Sequence, residues 1–244
     1  KLINALDNRE VNAAAGLTTM PEQLADDLSI REANIPLSSE VFSFFCNTSP
    51  VFSDANVRRA MSYATNTTDV ISAIGRPVSP VSGPLLRGQV GFDPNIKQNS
   101  NNPALAAQLL DQAGYVRGND GRRSKGNQSL AFTITTQDNN VYRNVAQVLR
   151  RQWEAVGASV DIVALSDDDL QTTLSPQGHS YDVLLYGIAL GADPDVFAYW
   201  HSSQAAITSA TRLNFSEFQS VAADKSLEAG RTRPEADVRA SKYK

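Results

Sequence analysis

Between Leu130 and Gly191 apolar strands alternate with helices, and this succession constrains the fold more than any other feature of the chain. Leu130, Phe132 and Ile134 alternate with Ala131, Thr133 and Thr135, the period of a strand with one face in a core. Val141, Val145, Val148, Leu149, Trp153 and Val156 then trace one face of a helix that Gly157 ends. Val160, Ile162 and Ala164 alternate again, and Ser166 with Asp169 three residues on forms a capping-box-like start to a brief helix. Val183 to Leu185, apolar with aromatics on either side, reads as a strand covered on both faces. Strands and helices in this order imply a parallel or mixed sheet with right-handed crossovers.

The last of these strands runs into the stretch with most promise as a working surface. In open α/β sheets small molecules bind beyond the carboxyl ends of the strands. Gly187 and Gly191 are expected to bring the backbone close to whatever lies there, since a missing side chain permits both approach and positive φ. Pro194 suits a first helical turn, with Asp193 before it as the cap. The candidate ligand contacts are therefore Tyr186, Gly187, Ile188, Ala189, Leu190, Gly191 and Asp193. Tyr186 is the best aromatic among them because it adjoins the glycine turn. His179, between Gly178 and Ser180 before the strand, reads either as an exposed bystander or as a contact in the same cleft.

The rest of the chain supplies a framework. A helix from Leu2, a strand over 12–17 and a short helix from Pro21 to Leu28 are expected, followed by a strand over Val41 to Cys46. Asp54 or Ser53 caps one continuous helix reaching Ile74, in which Val57, Ala60, Met61, Ala64, Val70, Ile71 and Ile74 fall on one stripe. Prolines and glycines break up residues 75–102, so a long irregular loop is expected there. A helix over Ala104 to Ala113 stops at Gly114, and 117–128 fits a hairpin. Further helices are expected from Asn214, with Phe215, Phe218, Val221 and Ala222 inward, and from Pro234 to the end.

Several kinds of chemistry find no support. The 22 basic and 26 acidic residues give a net charge of −4 with no basic block, which argues against nucleic acid as a partner. No apolar run is long enough to span a bilayer. The single Cys46 sits among Val, Phe and Ser as an inert buried thiol. His179 and His201 form no pair at ligand spacing, and Asp167 to Asp169 are explained by a helix start, so neither a metal nor a cofactor is expected. No Gly-x-Ser-x-Gly elbow is present, and Asp193 and Asp195 diverge across a turn, so no catalytic residue can be named.

Four motifs in order carry a family resemblance. They are Asn47-Thr-Ser-Pro50-Val-Phe52-Ser-Asp54 with Val57-Arg58-Arg-Ala60 behind it, Ala106-Ala-Gln-Leu109-Leu110-Asp-Gln-Ala113-Gly114-Tyr115, Trp153-Glu-Ala-Val-Gly157 before Val160-Asp-Ile162, and Tyr181-Asp182 through Asp193-Pro194 and Trp200. Together they resemble the extracellular solute-binding proteins of peptide and nickel ABC importers. The resemblance implies a mixed α/β sheet flanked by helices, the second lobe of a periplasmic-binding-protein-like fold. On this reading residues 1–40 belong to the first lobe and the approach to the hinge, the hinge lies near Asn47, and 41–244 form the second lobe, which stops short of the strands that return to the first.

The function implied is capture of a peptide or other small solute between two lobes and its delivery to an ABC permease in the membrane, without chemistry. The full-length protein would be extracytoplasmic, in the periplasm or lipid-anchored at the cell surface. Peptide-binding relatives tend to carry a Trp and, three residues later, an Asp that receives the peptide amino group; here Ile188 and Gly191 stand at those positions. An interaction or sensory module built on the same lobe is the alternative.

Overall fold

The computed structural model describes residues 1–17, 20–33, 38–191 and 193–243. Two compact units are distinguished: residues 1–37 with 76–78, and 38–75 with 79–244. The first holds helix α1 (Leu2–Asp7) and a single 3₁₀ turn over Glu22–Leu24. The strand expected over 12–17 is not formed, because this Ala-rich segment pairs with no other strand among the described residues. The helix expected through Leu28 shrinks to the 3₁₀ turn, and Leu28 is fully exposed.

The second unit carries the expected mixed sheet. Its elements are β1 (Ser39–Phe45), α2 (Ala55–Ala64), α3 (Thr67–Ile74), α4 (Pro103–Gln112), β2 (Val116–Arg117), β3 (Arg123–Lys125), β4 (Gln128–Ser129), β5 (Ala131–Gln137), α5 (Asn140–Ala155), β6 (Ser159–Leu165), α6 (Asp167–Thr173), β7 (Val183–Ala189), α7 (Phe197–Trp200), α8 (Val221–Arg231) and α9 (Ala236–Tyr243). The main sheet runs β1-β7-β5-β6. β5 lies parallel to both β6 and β7, as their helical crossovers require, whereas β1 closes antiparallel on β7. A small antiparallel sheet, β2-β3-β4, occupies the expected hairpin region.

Alternation along β7 sends successive side chains to opposite sides. Val183 and Leu185 join the larger core under α2, α4 and α5, with Phe52, Leu110 and Trp153. Leu184 and Ile188 join a second core with Phe44, Leu170, Tyr181 and Phe215. β7 is therefore covered on both faces, as its unbroken apolar run anticipates.

The helix expected to run unbroken to Ile74 is two helices. Thr65 turns extended, and the Asn66 side chain accepts from the Thr68 amide to cap a new start. The break has a use: the Trp153 indole N–H of α5 donates to the Met61 carbonyl at 3.1 Å and to the Thr65 hydroxyl at 3.0 Å. Asn214 to Phe218 is likewise not helical. Buried Asn214 donates to the carbonyls of His201 and Phe218 and accepts from the Phe218 amide, an arrangement in which the side chain organises the loop, and the helix begins only at Val221. Val221, expected inward, is 71% exposed.

The Tyr181-Asp182 pair ties the amino end of β7 to its surroundings. The Tyr181 hydroxyl donates to the Phe215 carbonyl at 2.8 Å. The Asp182 carboxylate accepts from the Ser49 hydroxyl at 2.6 Å and from the Thr133 amide of β5 at 3.0 Å. Asp182→Ala would leave that amide without its partner, and urea unfolding is expected to show a loss of about 2 kcal/mol. A variant as stable as the parent would show that the carboxylate is dispensable.

Candidate functional site

The carboxyl end of β7 is held by a ladder and by the elements packed above it. Glu40 pairs with Ile188 and Ser39 with Ala189, and the Leu190 amide extends the ladder to the Ser38 carbonyl at 3.2 Å. Leu190 is buried with Leu85, Val196 and Leu227, and the Gln89 side chain donates to the Gly191 carbonyl at 3.2 Å. Tyr186 meets Phe215 edge-on with ring centroids 5.6 Å apart. Tyr186 and Gly187 are thus half-buried, Ile188 and Leu190 buried, and Ala189, Gly191 and Asp193 exposed.

The two glycines differ in what they permit. A Cβ on Gly187 would come within 2.7 Å of the Tyr142 hydroxyl, so this glycine makes room for a side chain at the start of α5. Gly191 does not adopt positive φ, and among the described residues a Cβ there would meet only the Asp193 carbonyl, at 3.8 Å. The expected left-handed turn is absent at both, because the ladder holds β7 extended as far as Leu190.

Asp193 does not cap a helix. Its carboxylate is bound by Arg239 of α9. The helix starts later, at Phe197, whose amide donates to Asp195, and Pro194 is buried ahead of it. Asp195 is in turn paired with Arg231 at 3.0 Å. Both carboxylates are engaged by arginines of the last two helices, which sequence spacing could not reveal.

His179 is placed far from these residues. It precedes β7, so the whole length of the strand separates it from Ile188 to Asp193. It is also buried rather than exposed. The backbone curls so tightly over α6 that a Cβ on Gly178 would fall 2.2 Å from the Thr173 carbonyl, and the His179 amide donates to that same oxygen at 2.7 Å. Its Nδ1 lies 3.4 Å from the Tyr181 hydroxyl and 3.7 Å from Glu217, which pairs with Arg212 at 2.6 Å. Burial, then the Arg212 charge, push the imidazole pKa down against the pull of Glu217, which keeps the ring neutral at physiological pH. Asn47, the expected hinge residue, lies at this end too, its amide bonded to the Ser216 carbonyl at 2.9 Å. Cys46 beside it is buried and free.

One residue of the carboxyl end escapes a reading by sequence. Glu40 of β1 is 3% exposed, and among the described residues neither carboxylate oxygen has a hydrogen-bond partner. Burial alone pushes its pKa up to about 7. It shares a face of β1 with Phe42 and Phe44, both of which contact the Trp200 ring, at 6.4 and 5.9 Å between centroids. The Trp200 indole N–H, buried as well, lacks an acceptor among the described residues. Among the described residues no group of three or more His, Cys, Asp or Glu could hold a metal, and no helix is long and apolar enough to cross a membrane.

The chain was compared with known proteins. The sequence profile of the bacterial extracellular solute-binding proteins, family 5, middle region, matches residues 1–209. An oligopeptide-binding protein of Bacillus subtilis, AppA, is 26% identical over 180 residues, which is 72% of this chain and 32% of that protein. The structure of the B. subtilis AppA protein with a nonapeptide superposes with a TM-score of 0.73 at 24% identity, over 85% of this chain and 41% of the other. NikZ from Campylobacter jejuni, solved with Ni(L-His), gives a TM-score of 0.78 at 20% identity, over 99% of this chain and 48% of its own. The chain thus spans less than half the length of each of these relatives.

Proposed function

Because this chain belongs to the bacterial extracellular solute-binding proteins of family 5, we propose that it forms one wall of a solute site and serves an ABC importer. The family match over residues 1–209, in a chain with the mixed sheet of the relatives, is the observation that carries this reading. The complete protein captures a peptide or other small solute outside the cytoplasm and hands it to a membrane permease. Closure of two lobes does this work, and no bond is made or broken. Residues 1–40 belong with the first lobe and 41–244 with the second, with the hinge near Asn47. The solute lies beyond the carboxyl end of β7, against Tyr186 to Gly191. His179, at the far end of the strand, steadies the base of the lobe through Tyr181 and Glu217. Lipid anchoring of the complete protein keeps it near the permease.

Native mass spectrometry of the complete protein from its own cells tests the reading. A carried small molecule, released on denaturation, is the expected result. A protein partner in place of any solute would overturn it and leave an interaction module on the same fold.

A further inference from the structure

We propose that Glu40 is the anionic anchor of the solute site and that the solute it receives carries an organic cation, an ammonium group. The proposal rests on the reading of the chain as a solute-binding protein. Glu40 stands opposite Ile188, where β7 reaches its carboxyl end and ligands of open α/β sheets bind. A carboxylate buried this deeply is retained at a cost unless a cation or hydrogen-bond donor meets it. Here the described residues supply neither: no Arg or Lys pairs with Glu40, and both oxygens are without partners.

Protonation removes the charge but still leaves a polar carboxyl group buried, and neither of its oxygens has a hydrogen-bond partner among the described residues. The ionised group therefore lacks a donor among the described residues. An ammonium supplies charge and donors together, the stronger kind of hydrogen bond for a carboxylate. The surroundings favour the same guest. Phe42, Phe44 and Trp200 pack together on the Glu40 face of the sheet, and aromatic faces attract cations. The Trp200 indole, a donor only, suits an acceptor on the same solute. A free-amine solute that also bears a carbonyl or carboxylate oxygen fits both groups.

The test is calorimetric titration of the complete protein, wild type and Glu40→Gln, with triglycine and putrescine and with their N-acetylated forms. Thermal melts establish that both proteins are folded. At least one free-amine probe is expected to bind wild type, with acetylation and Glu40→Gln each weakening it at least tenfold. Equal binding of acetylated probes, unchanged binding by Glu40→Gln, or no binding of either amine would overturn the proposal. A neutral or anionic solute carried in the native mass spectrum would do so as well while leaving the binding-protein reading standing. Absence of any carried solute together with a bound protein partner would sink that reading itself.

Discussion

Trp153→Ala is expected to cost about 4 kcal/mol of folding stability, the upper range for a large-to-small change in a packed core. Trp153 is 1% exposed, and its ring lies 5.8 Å from Phe45 of β1 and 5.6 Å from Phe132 of β5. Its N–H also bonds the end of α2, so one side chain joins α5, the sheet and the break between α2 and α3. Alanine would leave a cavity bounded by aromatics and withdraw the indole donor at once. Trp153→Phe keeps most of the packing and loses the hydrogen bond, so it should cost about 1 to 2 kcal/mol. Urea unfolding of the three proteins measures both steps. A Phe variant as damaged as the Ala variant would show that the hydrogen bond outweighs the packing.

Glu40 should make the unliganded protein less stable as pH rises. The carboxyl ionises near 4.5 in the unfolded chain, whereas burial in the folded chain raises its pKa to about 7. Below about pH 4.5 both states hold the proton and the contribution is whole. Between there and about pH 7 the unfolded chain releases a proton that the folded chain keeps, so stability is lost, and above that it levels off. The loss amounts to about 3 kcal/mol.

Other groups on this side of the sheet titrate as well. Tyr186 and Tyr199 are near Phe215, and His179, Tyr181, Arg212 and Glu217 cluster at the other end of β7. His179, with its lowered pKa, acts in the opposite direction, its contribution being lost as pH falls. The difference between wild type and Glu40→Gln isolates the carboxyl. Unfolding at pH 5 and pH 8 should show a smaller fall for Glu40→Gln, and a higher stability than wild type at pH 8. Parallel curves would mean that Glu40 is not desolvated in solution.

How much could be read in advance varied with the range of the signal. The strands and helices from Ala131 to Ala189 were legible because each has a full period of its own and meets the core through it. The division of α2 from α3 was not, since apolar residues continue through Thr65 and Asn66 and the break depends on a cap and on an indole from α5. Asp193 looked like a cap by position, but Arg239 claims it. His179 looked like an exposed or cleft residue in sequence, yet it is buried before β7, where it packs on Phe215 and lies beside Tyr181 and Glu217, a strand's length from Ile188 to Asp193.

The order and kind of the elements from Ala131 to Ala189, and the family they announce, were determined by the sequence itself, because side-chain periodicity and turn chemistry act over a few residues. Which candidates share a site was decided only by the tertiary structure. β1 and β7 pair across most of the chain, Ser39 against Ala189, and nothing local in Ser39-Glu40-Val41 shows that its carboxylate will be buried there. Desolvation and the lack of a counter-charge belong to the assembled surroundings of a residue, so the most consequential group at the carboxyl end of β7 appears only when the sheet is closed.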